Sequence, residues 1–470
     1  MAFNGLHYFV FLPVLLCFYY AFKQPAARKA ILLAGSAFFM IYNSWLSATA
    51  VFFITVLNYR LLSTLNGASN DGFRKRLVLC GVVFNASLLL VYKFLQVGAG
   101  EQILNGFDNE RWIILGISFY SLQLISFYVE VYKRRLPFFG SFPDFLLSVV
   151  FFAKVPAGPI LSMEQSLSLP NSVDNRTTAA DISFGLQRLL LGLFKKVALA
   201  DRLTPYVSEV FDKHQYLNGA TIYLAPFLFT VQVYFDFSGY IDMAIGSARL
   251  FGIRLPENFD LPLRATSITK FWRRWHMTLI NWLSTYVFYP VAFRFRKWKK
   301  RGLAVAVLVT FLISAFWHGM AFTFLVWGLL HVLYIIIENR FFSKKKANTW
   351  WRMAGGLVLT WHLVAFANLF FRANTLKEAF LLFRNLGELP FLYSNVSFGT
   401  WLINGGGDIE MAFNYRLSVA LALVFLLIEK KINRYAASER YNIVFVTLLL
   451  TALAVFGMYQ SGERFIYLQF

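Results

Sequence analysis

Apolar blocks recur along the whole chain, with only short polar gaps between them. Hydrocarbon about 30 Å thick needs roughly 20 apolar residues per helical span, and about a dozen blocks come near that length. They lie near residues 7–22, 30–47, 48–65, 77–96, 111–131, 183–200, 219–250, 303–317, 320–338, 353–371, 412–428 and 441–459. The mean hydropathy of +0.55 is far above that of a soluble protein. The pattern predicts an all-α, polytopic integral membrane protein that forms one domain over residues 1–470.

The formal net charge of +21 does not predict a nucleic-acid partner, because the cations lie in the gaps between apolar blocks. Residues 133–135 are all basic, whereas the preceding gap over residues 101–110 holds three carboxylates. This alternation follows the positive-inside rule and places the N-terminus outside the cytoplasm and the basic stretch 294–301 (RFRKWKKR) inside. Topology and contact with membrane lipids explain the charge, and we expect no nucleic-acid partner.

Two segments fit poorly as membrane-spanning helices. Residues 142–162 contain FFAKVPAGPIL, in which Pro156, Gly158 and Pro159 would break a helix at membrane depth, so we predict a re-entrant or interfacial piece buried against protein. Residues 266–292 begin with Thr and Ser as N-cap candidates and mix cations with aromatic residues, which predicts an amphipathic helix. Cys17 and Cys80 lie in apolar runs without motif spacing, and we expect small core residues rather than a disulfide or metal pair.

Ionisable residues inside apolar blocks are costly and are functional-site hypotheses by default. The block over residues 231–246 holds Asp236 and Asp242, and Tyr240 shares a helical face with Asp236. The alternative is structural, because buried charges need partners. In that interpretation Asp236 pairs with an arginine of the WRRW segment, residues 272–275.

Three histidines, His276, His318 and His331, stand at related depth in such blocks. Neutral imidazole is cheaper to bury than a charge, and its reference pKa of about 6.5 suits a general base. The apolar block over residues 303–317 amounts to only about 22 Å of helix, which would leave His318 inside the membrane unless the helix is extended at its basic end. Gly319 would allow close approach of another chain or a substrate.

Metal and nucleotide motifs are missing from the sequence. His318 and His331 lack an HExxH-like spacing and a nearby Cys, so we predict no metal site. No GxxxxGK[ST] motif for ATP occurs. A transporter or flippase, in which the buried aspartates and histidines would relay protons, remains the alternative of another class.

Several stretches in order resemble the membrane-bound O-acyltransferase (MBOAT) superfamily, and within it the bacterial branch that acetylates polysaccharides. They are GISFYSLQLISFYVEVYKR (116–134), AGPI (157–160), YFDFSGYIDMAIG (234–246), ENFDLPLRATSITKFWRRWHMTLINWL (257–283), FWHGMAFTFLVWGLLH (316–331), FRANTLKEA (371–379) and FIYLQF (465–470). One departure is FFAKVPAGPI, where the family often has a proline at the site of Ala153. This departure bears on the shape of the re-entrant piece and on acceptor preference.

The resemblance implies a fold and an activity. It implies helices around a central funnel or tunnel in the inner membrane of a bacterium. His318 matches the catalytic histidine and His276 a second important one, with supporting side chains at Asp236, Tyr240, Arg273, Arg274, Trp317 and His331. The implied reaction moves an acetyl group from a cytoplasmic thioester, most simply acetyl-CoA with no bound cofactor, to an extracytoplasmic hydroxyl.

The resemblance leaves the acceptor open. The hydroxyl belongs either to an exopolysaccharide of the alginate or cellulose type, or to a serine of a relay protein outside the membrane. D-alanyl or peptidoglycan O-acyl transfer is the alternative.

Overall fold

The computed structural model describes residues 1–95, 114–173, 176–212, 219–341, 349–387 and 409–458. Every regular element in these ranges is helical, which confirms the all-α class. In chain order the α-helices are α1 (Leu6–Ala21), α2 (Pro25–Asn43), α3 (Trp45–Gly67), α4 (Asp71–Leu95), α5 (Ile117–Lys133), α6 (Phe142–Val150), α7 (Met163–Ser172), α8 (Ala179–Phe194), α9 (Asp201–Asp212), α10 (Gly219–Arg249), α11 (Ile268–Trp272), α12 (Met277–Leu283), α13 (Tyr289–Arg294), α14 (Lys300–His318), α15 (Phe322–Phe341), α16 (Trp350–Arg372), α17 (Leu376–Gly387), α18 (Ile409–Ala436) and α19 (Ile443–Phe456). Each predicted apolar block overlaps one of these helices, but block 30–47 runs past the end of α2 into α3, and block 183–200 runs past the end of α8.

Five of these helices, α3, α4, α14, α15 and α16, are long and apolar enough to cross a membrane. About a dozen crossings stays a prediction. The chain divides into two compact units: unit 1 comprises Met1–Leu189, Tyr240–Glu257 and Ser438–Tyr441, and unit 2 comprises Leu190–Gly239, Asn258–Ala437 and Asn442–Phe470. The single-domain organisation also stays a prediction.

In unit 1, one buried arginine joins the ends of two helices. The Arg74 guanidinium donates to the backbone oxygens of Leu65, in the last turn of α3, and Ala68, its C-cap residue, at 2.6 and 3.1 Å. It also donates to the oxygens of Val131 and Tyr132 at the end of α5, at 3.0 and 2.9 Å. The last carbonyls of a helix lack intrahelical partners, so this side chain completes both termini at once.

The proline-containing segment of unit 1 is not helical. Helix α6 ends at Val150, and residues 151–162 form turns and irregular backbone before α7, as the prolines predict. The Lys154 ammonium is buried here and donates to Gln123 Oε1 at 2.7 Å and to the Val149 carbonyl at 3.1 Å. A Cβ at Gly158 would lie 2.4 Å from Lys154 Cα, so the turn requires glycine at that position. The re-entrant placement of this segment stays a prediction.

In unit 2, the predicted amphipathic helix over residues 266–292 is wrong as a single element. The Ser267 hydroxyl caps α11, as expected, by accepting from the Lys270 N–H at 3.3 Å. The helix then ends at Trp272, and the chain resumes as α12 after His276, whose backbone is left-handed at φ 45°. Residues Ser284–Phe288 form a π-helical turn before α13. A second π-helical turn, Lys195–Ala200, joins α8 to α9.

Two further expectations need correction. Helix α14 has 19 residues and begins at Lys300, so it spans about 28 Å and its length does not place His318 in mid-membrane. Cys17 and Cys80 are exposed on the surfaces of α1 and α4 and are not core residues. Both cysteines are free thiols.

Candidate active site

His276 is held at the turn between α11 and α12 by Asn258. The Asn258 side-chain oxygen accepts hydrogen bonds from the backbone N–H and the hydroxyl of Thr278, both at 3.0 Å. These donors identify that atom as the amide oxygen, so His276 Nδ1, 3.2 Å away, carries a proton and donates to it. In the neutral ring the other nitrogen, Nε2, is then the basic one. Asn258 therefore fixes both the orientation and the tautomer of His276.

His318 is the last residue of α14 and is 5% exposed. Its ring lies among aromatic rings, with centroid distances of 4.8 Å to Trp317, 5.0 Å to Phe371 and 5.1 Å to Trp327. A Cβ at the following Gly319 would lie 2.6 Å from the ring of Phe324, so a side chain of the same chain packs closely against this glycine. Approach of another chain or a substrate at Gly319 stays a prediction. The imidazole stands at a helix terminus inside an aromatic surround.

Ring contacts bring all three predicted histidines together within unit 2. The Trp317 ring contacts both His276, at 5.8 Å between centroids, and His318, at 4.8 Å. Trp327 lies 5.1 Å from both His318 and His331. We call His276, His318, His331, Trp317 and Trp327 the histidine cluster.

Trp272, on α11, fixes the third histidine. Its indole N–H donates to His331 Nδ1 at 3.2 Å, so the proton of neutral His331 lies on Nε2. The two rings are also in edge contact, at 4.9 Å between centroids. His276 and His331 thus hold their protons on different ring nitrogens, and each is set by one neighbouring side chain.

A small cavity adjoins the histidine cluster. Its volume of about 20 Å³ is enough for one water molecule. Six of its nine lining residues are Phe or Trp, and the others include His331 and Asn368. Trp327 and Phe371 belong both to its wall and to the ring surround of His318. Trp327 and Phe371 therefore connect the cavity to the ring of His318.

Other predicted site residues lie outside this cluster. The Tyr240 hydroxyl belongs to unit 1, where it accepts a hydrogen bond from the backbone N–H of Ala157 at 3.1 Å and so supports the AGPI segment. Arg273 is exposed, and Arg274 reaches Asp260 only at 3.9 Å. The supporting roles predicted for these three residues stay predictions.

Asp236 forms an ion pair, but not with the predicted arginine. Its carboxylate lies 2.8 Å from Lys196 Nζ, which also lies 2.8 Å from Asp201. All three side chains are 1% exposed, and we call them the lysine cluster. Lys196 stands in the π-helical turn after α8, inside a stretch that the sequence presents as an apolar span.

Sequence reasoning also missed Asn258, Trp272 and Trp327 as functional candidates. All three lie within stretches that resemble the MBOAT superfamily, but nothing in their local pattern separates them from neighbouring aromatic and polar residues. Within the described ranges, no group of three His, Cys, Asp or Glu side chains is placed to hold a metal ion. The chemistry available to the histidine cluster is proton transfer and hydrogen bonding in an apolar surround.

Comparison with known proteins identifies the family of this chain. A family model described as MBOAT, membrane-bound O-acyltransferase family, matches residues 20–361. A probable alginate O-acetylase, AlgI, of Pseudomonas aeruginosa is 31% identical over 414 residues, which cover 84% of this chain and 75% of the relative. The peptidoglycan O-acetyltransferase of Helicobacter pylori is 29% identical, with coverage of 79% and 76%.

A third relative differs in the acyl group that its name gives. The teichoic acid D-alanyltransferase of Bacillus subtilis is 27% identical over 63% of this chain and 77% of the relative. These relatives are all acyltransferases by name, which favours a transferase over the transporter alternative. The chain belongs to the membrane-bound O-acyltransferase family, and it is an O-acyltransferase with membrane-spanning helices.

Proposed function

We propose that this enzyme moves an acetyl group from a cytoplasmic thioester, most simply acetyl-CoA, to a hydroxyl outside the inner membrane of a bacterium. The observation that carries the proposal is that His276 and His318 both contact the ring of Trp317 and are both buried within one unit. An acetyl acceptor and a general base need such a water-poor site, because water competes for the thioester. About a dozen helices around a tunnel, in one domain, would bring donor and acceptor to this site.

In the proposed reaction His318 is the general base. The acceptor oxygen forms a bond to the thioester carbonyl carbon while the hydroxyl proton passes to the imidazole. The C–S bond then breaks, and the proton passes from His318 to the thiolate, which leaves as a free thiol. General-base assistance of this kind contributes about 10²–10⁴ in rate.

His276 is proposed to orient the acceptor. Because its Nδ1–H is directed to Asn258, the basic Nε2 is the atom suited to accept a hydrogen bond from another hydroxyl or an N–H of the acceptor, while the proton of the attacking hydroxyl passes to His318. The same tautomer is poorly suited to stabilise a negative oxygen, which would need a donor. Of the two roles considered for this residue, orientation of the acceptor therefore fits better.

The basic stretch 294–301 is proposed to attract the phosphates of the donor. An open cavity of about 680 Å³ is lined by Trp298, Lys299, Lys300 and Arg301 at the beginning of α14. Three adjacent cations raise the local concentration of a polyanionic thioester. Binding of anionic lipid headgroups by the same side chains is the alternative use of this cavity.

The proposed acceptor is a hydroxyl of an exopolysaccharide of the alginate or cellulose type, or a serine of an extracytoplasmic relay protein for that polymer. The O-acetylases among the relatives are more similar to this chain than the D-alanyltransferase, at 31% and 29% against 27% identity. This difference favours acetyl over D-alanyl as the transferred group. Peptidoglycan remains an alternative acceptor, because one of the relatives acts on it by name.

The test is His318→Ala, with His362→Ala as the matched control. His362 is an exposed histidine of α16 in the same unit, and its described contacts do not include the histidine cluster. We expect His318→Ala to lose acetyl transfer by about 10²–10⁴-fold while the protein stays folded, and His362→Ala to keep it. Acetyl-ester content of the extracellular polymer and thiol release from acetyl-CoA by membrane vesicles are the two readouts. Normal acetylation by a well-expressed His318→Ala protein would eliminate the assignment.

A further inference from the structure

One residue in the wall of the cavity beside the histidine cluster has a buried hydrogen-bond donor without a described acceptor. Trp327 is 3% exposed and lines the cavity, and its indole N–H finds no acceptor among the described residues. A buried N–H without an acceptor costs about 1–3 kcal/mol, so such groups in native proteins usually serve a ligand or a water. The donor stands on the residue whose ring packs against His318.

The remaining wall of the cavity is apolar and firmly packed. Phe271 stacks on Trp275 at 5.4 Å between centroids, and Trp272 is fixed by its hydrogen bond to His331. Asn368 is fixed as well, since its amide donates to Thr230 Oγ1 at 2.9 Å. No carboxylate occurs among the described lining residues. The cavity offers apolar contact and a few fixed polar groups, which is the usual composition of a small-ligand pocket.

Size and polarity together indicate what the cavity holds. A volume of about 20 Å³ admits a group the size of a water molecule or a methyl group. An acetyl thioester presents a methyl group beside a carbonyl oxygen, and that oxygen is a hydrogen-bond acceptor that gains negative charge as the acceptor attacks. A D-alanyl group would add a carbon atom and an ammonium, for which a cavity of this volume has no room.

We propose that this cavity is the acyl pocket of the enzyme, that the Trp327 indole N–H donates to the carbonyl oxygen of the thioester, and that the aromatic walls admit acetyl in preference to longer acyl groups. The inference rests on the proposed acetyl transfer from a CoA thioester. It adds a catalytic residue, which touches the reacting carbonyl, and a source of acyl selectivity. The proton path through His318 is unchanged.

The first variant is Trp327→Phe, which keeps an aromatic ring at this position and removes the N–H together with two carbon atoms of the indole. Loss of one oxyanion donor lowers kcat by about 10²–10³-fold, and we expect the KM for acetyl-CoA to change little. The matched control is Trp361→Phe, which removes an indole N–H that donates to the Leu263 carbonyl at 2.7 Å outside the cavity. We expect this control to keep a kcat close to that of the unmodified enzyme.

The second variant is Phe229→Ala, which enlarges the cavity at a wall residue that has no described ring contact with His318. Membrane vesicles that carry the natural acceptor are supplied with acetyl-CoA, propionyl-CoA or butyryl-CoA, and thiol release is measured. We expect the unmodified enzyme to use acetyl-CoA best, and the ratio of propionyl to acetyl transfer to rise about tenfold in the variant, in line with the worth of a methylene in an apolar pocket. A ratio does not depend on how much variant protein folds.

The possible results distinguish failure of the pocket assignment from failure of the proposed function. If the unmodified enzyme acts on acetyl-CoA while Trp327→Phe keeps its kcat and Phe229→Ala keeps its acyl preference, the pocket assignment is overturned and the proposed function stands. If the unmodified enzyme releases no thiol from any of the three donors, the proposed donor is overturned together with the pocket.

Discussion

The histidine cluster and the lysine cluster both bury ionisable side chains in unit 2, but their surroundings differ. The three histidines contact aromatic rings, and their described hydrogen bonds go to neutral groups. Lys196 instead stands between two carboxylates at 2.8 Å each. A buried charge that meets opposite charges at contact distance is already satisfied, whereas imidazole in an apolar surround keeps its capacity to exchange a proton. Burial of an ionisable side chain alone therefore does not distinguish a catalytic residue from one that stabilises the fold.

The largest effect that tests this comparison is expected from Lys196→Ala. Removing the cation leaves Asp201 and Asp236 buried without their shared partner, and breaking a buried pair in this way costs about 3–5 kcal/mol. We expect loss of most folded protein, measured by thermal unfolding of the purified protein in detergent. Lys270→Ala, at an exposed lysine of α11, should unfold at nearly the unmodified temperature.

A companion variant distinguishes charge balance from shape in the lysine cluster. The triple change Lys196→Met, Asp201→Asn and Asp236→Asn removes all three charges together and should recover much of the stability, since a neutral replacement of a buried ion pair is often tolerated. If Lys196→Ala stays stable but loses acetyl transfer, the comparison is wrong, because the lysine cluster would then take part in the reaction.

Asn258→Ala should produce an intermediate effect on the other side of the comparison. It removes the acceptor that sets the tautomer of His276 and caps the turn at Thr278. We expect a fall of about 10²-fold in the transfer rate from misplacement of the imidazole, with a loss of stability of about 1 kcal/mol. The measurement is kcat in membrane vesicles beside thermal unfolding of the same protein. Asn281→Ala, on the exposed face of α12, is the control, and an unchanged rate in Asn258→Ala would remove the orienting role of His276.

The smallest effect is expected at the open cavity at the beginning of α14, which is lined by three cations. Reversing the charges of Lys299, Lys300 and Arg301 should raise the apparent KM for acetyl-CoA roughly tenfold at low salt, and the difference should shrink as ionic strength rises. The same reversal at residues 133–135, a basic triplet of unit 1, controls for net charge. An unchanged KM would show that these cations do not attract the donor and serve only membrane topology and contact with lipids.

Much of the helical framework could be predicted, because long apolar blocks leave the backbone no alternative to a helix in hydrocarbon. The three histidines could also be selected, since an imidazole in an apolar block is a rare and costly event. The interaction partners of the buried ionisable residues could not be predicted. Lys196 lies between apolar residues of a block that looks like an uninterrupted span, and only the π-helical turn over Lys195–Ala200 explains its position beside Asp236.

The break of the helix at His276 could not be predicted from the local sequence either. The sequence over residues 266–292 has the composition of one amphipathic helix, and the interruption depends on Asn258, which lies 18 positions earlier in the chain. The Asn258 backbone carbonyl also accepts from the Met277 N–H at 2.9 Å, so the turn is held by tertiary contacts. Similarly, α14 extends to Lys300 because long basic side chains continue a helix readily, although they lower the hydropathy by which its end was predicted.

The left-handed backbone at His276 makes glycine the least disruptive substitute there. Glycine adopts a φ of 45° at almost no cost, whereas any other side chain pays about 1–2 kcal/mol for it. His276→Gly would thus vacate an imidazole-shaped space while the turn keeps its course. Such a vacancy is the geometry in which a free azole added to the medium can stand in for a missing ring and restore turnover.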